Sequence, residues 1–283
     1  MVGAVVLSTA ACAQQPDLFR PATCGDDTSS GTIRCTGDAE LVAFNVGITA
    51  ALAVIRGTAE GRVRSWRNAA EVAGAGALAG AGFALAKQQV GSGRTLLGVG
   101  LGFASSSLVE NVAEGEHPFA YLRAGLGPAD LRVRLPFAMR PGPEAAVEVD
   151  PLAAGALVVL PLQGYRPFLR GGVLTYEAPE DRSRAFSRGG TLGQVVFIGA
   201  GEPPEARRHE IVHSIQFRQC GATLPYGTAG DIVGWARRTS SSGRVTWDVR
   251  TGTGTLGCAV GSTTFPYGSS PLEMEAYSVA RPE

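Results

Sequence analysis

The chain has 283 residues, and its 25 basic and 25 acidic side chains give a formal net charge of zero. This balance excludes the strongly basic proteins that bind nucleic acid through charge, so we expect no nucleic-acid partner. Charged residues make up 18% of the chain, below the roughly 25% that is usual in soluble domains, and the mean hydropathy is slightly positive. Such an apolar chain is expected to bury a large core or to contact a membrane.

The N-terminal residues predict an export signal. Val2 to Ala11 form a short apolar run, and Ala11-Cys12-Ala13 fits the small-x-small pattern at which signal peptides are cleaved. We therefore expect residues 1–13 to be a signal peptide and the protein to reach the bacterial periplasm or cell envelope. A buried N-terminal strand is the alternative for the same run.

Four cysteines remain after such a cleavage, and an even number in an exported chain favours disulfides. Cys24 and Cys35 bracket a polar loop, so they are the local pair, and Cys220 and Cys258 are left for each other. Residues 14–40 would then form an irregular arm stapled by the first disulfide. Free buried thiols are the alternative.

Three apolar segments rich in glycine, alanine and serine follow, at residues 41–55, 69–87 and 95–111. We expect them to be three closely packed helices in a region that spans residues 41–118. A membrane-spanning helix needs about 20 apolar residues, and these uninterrupted runs are nearer to about 15–17. A buried helical bundle and membrane association through these helices are therefore both open.

Residues 119–200 contain short runs separated by glycine, proline and aspartate. The run ADLRVRL at residues 129–135 alternates between apolar and polar side chains and predicts a half-exposed antiparallel strand. Neighbouring runs, among them GALVVLPL at residues 155–162 and GQVVFIG at residues 193–199, are also predicted to be strands. The expected fold class is α+β, with a helical N-terminal part followed by an antiparallel β-rich middle.

The stretch RRHEIVHSIQFRQC, residues 207–220, contains the pattern HExxH. Residues four apart lie on one face of a helix, so His209 and His213 can bind one metal ion together. Glu210 lies about 100° round the helix, where it can act as a general base towards a water molecule on that ion. An accidental match in a chain with three histidines is expected only roughly 0.002 times. Two histidines on an ordinary solvated helix are the alternative.

A catalytic zinc site needs a third protein ligand, and the segment PLEMEAYS near the C-terminus offers one. This segment resembles the second ligand helix of the gluzincin-type zinc metallopeptidases: Glu273 and Ala276 match that family's pattern E-x-x-A, and Glu275 is the competing ligand. The remaining histidine, His117, precedes a proline in another region and is disfavoured. The candidates for stabilising a developing oxyanion are Tyr226, Tyr267 and Tyr277. Tyr277 is also a candidate for supporting a ligand histidine.

The HExxH helix, the strand before it and the closing glutamate helix resemble the gluzincin-type zinc metallopeptidases, over about 60 residues of the chain. The resemblance implies a zincin-like region at residues 201–283, in which Zn²⁺ is held by His209, His213 and Glu273. It also implies a hydrolase for peptide or protein substrates, with Glu210 as the general base.

One position departs from that family. Many gluzincins have Asp directly after the Ala or Ser of the E-x-x-A or E-x-x-S pattern, where it binds a ligand histidine, whereas this chain has Tyr277. Support for the histidines must then come from Tyr277 itself or from a backbone carbonyl. The alternative function is a non-catalytic cell-envelope protein with a structural zinc site. Glu210 favours the enzyme, because a structural site needs no general base.

Overall fold

The structure is a computed structural model, and it describes residues 37–179, 190–224, 245–247 and 270–280. The fold class is α+β, as predicted, with six helices and eight strands in these ranges. The predicted signal peptide and the predicted Cys24–Cys35 disulfide lie outside the described residues.

Three long helices form the N-terminal part, as the apolar segments predict. They are α1 (Asp38–Ala59), α2 (Trp66–Gly91) and α3 (Thr95–Ala113), with 22, 26 and 19 residues. All three are longer than the segments that predicted them: α1 and α2 extend at both ends, and α3 extends by Val112 and Ala113. At the start of α2, the Ser65 hydroxyl accepts a hydrogen bond from the Asn68 N–H at 3.2 Å and caps the helix. Helix α1 begins three residues inside the predicted 14–40 arm.

Glycine allows α1 and α2 to approach each other closely. A Cβ atom added to Gly76 would lie 2.8 Å from Cα of Ala50, and one added to Gly80 would lie 2.7 Å from Cα of Val46. Real Cβ atoms do not approach backbone this closely, so both positions require glycine. The expectation that small-residue faces pack these helices together is therefore confirmed.

Each of the three N-terminal helices is long and apolar enough to cross a bilayer, by length and composition. The share of the apolar window that is buried rises from 22% in α1 to 44% in α2 and 67% in α3. Helix α1 thus lies at the outside of the bundle, and α3 faces the rest of the protein.

The middle of the chain contributes to two four-stranded sheets. The first has the strand order β1 (Tyr121–Leu126), β2 (Ala129–Arg134), β3 (Ala145–Val149) and β8 (Val245–Trp247). The second has the order β4 (Arg166–Arg170), β5 (Val173–Glu177), β7 (Val195–Ile198) and β6 (Gly190–Leu192).

Both sheets are mixed, which corrects the expectation of a purely antiparallel β region. Strand β3 pairs in parallel with β8, and β5 pairs in parallel with β7. In the second sheet, β6 and β7 pair as antiparallel neighbours, and β7 is the one that lies beside β5. Strand β7 runs parallel to β5, and β6 lies at the edge of the described sheet. The alternation in residues 129–135 does correspond to the half-exposed antiparallel strand β2.

Residues 155–162 were predicted to be a strand, and this prediction is wrong, because they belong to helix α4 (Pro151–Leu162). Asp150 caps the helix: its Oδ1 accepts hydrogen bonds from the N–H groups of Leu152 at 2.8 Å and Ala153 at 3.3 Å. Pro151 occupies the first turn, where its missing N–H is not needed. A continuous apolar run has no period, so these flanking residues decide its structure.

The two remaining helices, α5 (Pro204–Thr223) and α6 (Pro271–Val279), have the starts that their prolines predict. Helix α5 packs against α2 and α3 on one side and against β6 and β7 on the other. The main core, which includes Phe83, Phe103 and Ile211, lies between α5 and the N-terminal helices. Helix α5 is therefore held on both sides, and α6 contacts α5 and the end of α2.

Candidate metal centre

Helix α5 presents the two motif histidines on one buried face. The Nε2 atoms of His209 and His213 lie 3.0 Å apart, and the two rings are nearly perpendicular. Ile211 and Val212 lie on other faces of the helix and belong to the core. The helix thus has a core side and a polar side, as its sequence predicts.

Helix α6 brings Glu273 to the same point. Its Oε2 lies 3.3 Å from Nε2 of His209, and its Oε1 lies 3.5 Å from Nε2 of His213. Each residue offers one ligand atom, and these atoms all lie within 4.8 Å of one another. Histidine nitrogen and carboxylate oxygen are donors that Zn²⁺ accepts, at bond lengths of about 2.0–2.2 Å in a tetrahedron.

These separations fit the dimensions of a tetrahedral zinc site. Two donors on adjacent corners of such a tetrahedron are roughly 3.3 Å apart. The two Nε2 atoms are 3.0 Å apart, and the two oxygens of Glu273 lie 3.3 Å from His209 and 3.5 Å from His213, on either side of that value. The donor set that the sequence predicts therefore has the chemistry that Zn²⁺ accepts and separations close to those of a tetrahedral site, and zinc binding itself stays a prediction.

Glu275, the competing third ligand, is not brought to the histidines. It is buried, and its Oε2 lies 2.7 Å from Nζ of Lys87 on α2. Positions 273 and 275 are about 200° apart round a helix, so they cannot both reach the two histidines, and Glu275 contacts Gln216 of α5 instead. Of the two candidates, Glu273 alone joins the cluster.

Glu210, the predicted general base, is buried beside the cluster. Both its Oε2 and its backbone carbonyl oxygen lie 2.8 Å from the hydroxyl of Thr191 on β6. Burial raises the pKa of the Glu210 carboxyl above its ordinary value, and the two histidines and the Thr191 hydrogen bond act in the opposite direction. Thr191 had no predicted role, because a single threonine in a short strand carries no sequence signal.

Tyr277 lies against one of the candidate ligands. Its ring centroid is 4.4 Å from that of His209, with an angle of 54° between the rings. Tyr277 is one helical turn after Glu273, so both face α5. The contact restricts the rotation of the His209 ring, and the predicted role of Tyr277 in stabilising an oxyanion stays a prediction. Tyr226 and Tyr267 lie outside the described residues.

The polar partner of His213 is Gln216, which was not predicted. Nδ1 of His213 lies 2.7 Å from Oε1 of Gln216. The Gln216 amide nitrogen donates to the carbonyl oxygen of Leu272 at 2.9 Å and to Oε2 of Glu275 at 2.6 Å. The only sequence signal was its spacing, three residues after His213 on the same helix.

Four further buried polar residues lie behind Glu275. Nζ of Lys87 lies 2.8 Å from Oδ1 of Asn45 and 2.8 Å from Oε1 of Gln219, and the amide nitrogen of Gln219 donates to the hydroxyl of Thr49. These residues also had no predicted role. The sequence offers only a weak indication of this polar cluster, namely one lysine (Lys87) and one asparagine (Asn45) inside long apolar helices.

The electrostatics of the cluster depend on the contact between His213 and Glu273. Burial, the largest influence, lowers the pKa of His213, but the charge and hydrogen bonding of Glu273 outweigh it and raise the pKa to about 9. Burial likewise raises the pKa of Glu273, but the two histidines lower it well below its ordinary range. Without a metal ion, the site therefore holds a protonated histidine beside a carboxylate at neutral pH.

The other histidine and the cysteine of α5 lie elsewhere. His117 is in the loop after α3, where its ring stacks on Phe137 and its Nδ1 accepts a hydrogen bond from the N–H of Phe119. His117 does not belong to the metal cluster. Cys220 is disulfide-bonded. Its pairing with Cys258 stays a prediction, because Cys258 lies outside the described residues.

No protein-family model, no curated protein and no solved structure matches this chain.

Proposed function

We propose that the protein is a zinc-dependent metallopeptidase-like hydrolase. The observation that carries the proposal is the convergence of His209, His213 and Glu273 on one point with Glu210 beside them. Three protein ligands and an adjacent buried carboxylate are the groups that catalytic zinc sites use in hydrolysis.

When bound, zinc supplies Lewis acidity, which lowers the pKa of a coordinated water molecule and polarises a substrate carbonyl. Glu210 accepts and holds the proton in the proposed reaction. Burial raises the pKa of its carboxyl, which makes it a stronger base, and the contact with Thr191 fixes the position of Oε2. The contact with Tyr277 keeps the ring of His209 in place.

A peptide is the substrate class that the neighbouring sheet favours. Strand β6 is an edge strand of the second sheet within the described residues, and its Thr191 contacts Glu210. The outer edge of such a strand carries backbone N–H and C=O groups that can pair with an extended peptide. A peptide bound there would pass next to the general base.

A structural zinc site in a non-catalytic envelope protein is the competing proposal. It uses the same three ligands, so metal binding alone does not distinguish the two functions. Glu210 distinguishes the two functions, because a structural zinc site gains nothing from a buried carboxylate whose pKa is raised.

Membrane association is a second proposal, and the outer faces of the N-terminal helices favour it. Phe44, Ile48 and Ile55 on α1 and Leu78 and Leu85 on α2 are exposed. Asn45 and Lys87 on the same two helices are buried and face the interior. Apolar residues outside and polar residues inside are the arrangement that a lipid environment favours. Export stays a prediction from residues 1–13.

The test of the hydrolase is a comparison of wild type with Glu210→Gln. We expect one zinc ion per chain in both proteins, and hydrolysis of unstructured protein substrates by the wild type only, reduced about 10²–10⁴-fold in the variant. Equal hydrolysis by both proteins would exclude Glu210 as the base. Zinc bound without hydrolysis in the wild type would favour the structural site.

Membrane association is tested by alkaline carbonate extraction of membranes. Retention of the protein in the membrane pellet would support the association, and complete release would exclude spanning helices.

A further inference from the structure

We propose that Gln216, Glu275 and Lys87 form a positioning chain that holds His213 in its metal-binding orientation. The inference rests on the proposed function, because it assigns these residues to the support of a zinc ligand. None of the three offers an atom to the cluster of His209, His213 and Glu273. They act through His213 and through the backbone that carries Glu273.

The first step is the orientation of the Gln216 amide. Its nitrogen lies 2.9 Å from the carbonyl oxygen of Leu272 and 2.6 Å from Oε2 of Glu275, and both of these atoms only accept hydrogen bonds. The amide oxygen must therefore face His213, where it accepts from the N–H at Nδ1. A neutral imidazole with its proton on Nδ1 has its lone pair on Nε2, which is the atom that faces His209 and Glu273.

The second step is the set of contacts that hold the Glu275 carboxylate. A buried carboxylate is costly unless it is paired and hydrogen-bonded. Nζ of Lys87 lies 2.7 Å from Oε2 of Glu275, and the amide of Asn45 donates to Oε1. The two other protons of the Lys87 ammonium go to Asn45 and Gln219, each at 2.8 Å, so all three donors are used. The Glu275 carboxylate thus only accepts hydrogen bonds. A flipped Gln216 amide would place its oxygen against that carboxylate, so the observed amide orientation is fixed.

The third step links the two sides of the metal site. Gln216 contacts the ring of His213 through its oxygen and the backbone of Leu272 through its nitrogen. Leu272 directly precedes Glu273 in the first turn of α6. One amide therefore fixes a ligand of α5 and the backbone next to the ligand of α6. Metal-ligating histidines generally need such a partner at the second ring nitrogen, and its loss typically costs 10–100-fold in metal affinity.

The experiment measures zinc affinity by chelator competition and the visible spectrum of the Co²⁺-substituted protein. Gln216→Met removes the amide at similar length and leaves the Lys87–Glu275 pair in place, so this variant is expected to fold. We expect its zinc affinity to fall about 10–100-fold and the Co²⁺ bands to shift, because His213 loses its orientation. Val90→Ala on α2 is the control: it removes buried apolar volume near Lys87 and should lower stability without changing affinity or spectrum.

A rescue separates positioning from folding. Lys87→Met leaves Glu275 unpaired, and we expect weaker zinc binding although position 87 is not a ligand. Adding Glu275→Gln removes the unpaired charge and keeps an oxygen that accepts from Gln216, so the double variant should regain part of the lost affinity. Wild-type affinity and an unshifted Co²⁺ spectrum in Gln216→Met would overturn the positioning chain and leave the hydrolase proposal standing. Wild-type protein that binds neither zinc nor Co²⁺ would overturn both.

Discussion

Nε2 of His209 lies 3.0 Å from Nε2 of His213 in the interior of the protein. At this distance the two nitrogens cannot both carry a proton towards each other, so at least one presents a lone pair. Glu273 adds a carboxylate to the same point, within 3.5 Å of both rings. A single cation at this point would interact with both imidazole nitrogens and with the carboxylate. In the absence of a cation, one proton shared among these groups takes its place.

Replacing Glu273 by Ala should abolish stoichiometric zinc binding. The change removes a direct ligand, so we expect a loss of affinity of at least about 100-fold, the upper end of what the loss of a supporting residue costs. Metal analysis after gel filtration measures it. Glu205→Ala is the matched control, because Glu205 lies on α5 and pairs with Arg208 away from the cluster. Full zinc occupancy in the Glu273 variant would show that Glu273 is not a ligand.

Zinc affinity should rise with pH in the range between about 6.5 and about 9. The neighbouring carboxylates raise the pKa of His213 to about 9, and the proton must leave before the ring can bind a metal ion. The apparent affinity is then expected to increase about tenfold per pH unit below the raised pKa. Titration with a metal-buffered chelator at several pH values measures this, and a flat profile would contradict it.

The stability of the metal-free protein should show the opposite trend. The pKa of His213 is higher in the folded protein than its ordinary value of 6.5, so its contact with Glu273 contributes fully below about pH 6.5 and is lost as the pH rises through about 9. Glu273 has a lowered pKa, so its contribution is present above its ordinary pKa of 4.5 and is lost on further acidification.

The melting temperature of the chelator-treated protein should therefore be highest between about pH 4.5 and pH 6.5 and should decrease towards pH 9. Zinc should remove the decrease at high pH, because the metal ion replaces the proton. A metal-free melting temperature that rises from pH 6.5 to pH 9 would contradict the raised pKa of His213.

Replacing Thr191 by Val should shift the acid limb of the hydrolysis profile to higher pH. The hydrogen bond from Thr191 lowers the pKa of Glu210, in opposition to burial, so its removal raises that pKa further. Glu210 must be ionised to accept a proton, and more alkaline solution is then needed for the same activity. Zinc content should be unchanged. Thr95→Val, the same change at the first residue of α3, should leave the pH profile unchanged.

The parts of this fold that could be predicted are those that depend on residues close together in sequence. The spacing of His209 and His213 requires only a helix, and the start of α6 requires only Ser270 and Pro271. The apolar run of helix α4 has no period and was predicted to be a strand, although the local signals for a helix, the Asp150 cap and Pro151, directly precede it.

The supporting residues of the candidate site depend on contacts between distant parts of the chain. Gln216 and Glu275 are 59 positions apart, and Lys87 and Glu275 are 188 positions apart. No local pattern specifies which buried glutamate meets which lysine, so the sequence left Glu273 and Glu275 as competing ligands. The packing of α6 against α2 decides between them, since it buries Glu275 beside Lys87 and leaves Glu273 facing the histidines.

Replacing Gly80 by Ala should destabilise the helical part of the protein, whereas Gly74→Ala should not. A Cβ atom at position 80 would lie 2.7 Å from Cα of Val46, and backbone cannot move aside as a flexible side chain can. We expect a loss of about 1–3 kcal/mol, and weaker zinc binding as well, since α1 carries Asn45 next to Glu275. Nothing lies within 4 Å of a Cβ atom at position 74 of the same helix, so there Ala should raise stability by up to about 1 kcal/mol. Denaturant unfolding of the two variants measures the difference, and equal effects would show that α1 and α2 are not in close contact at Gly80.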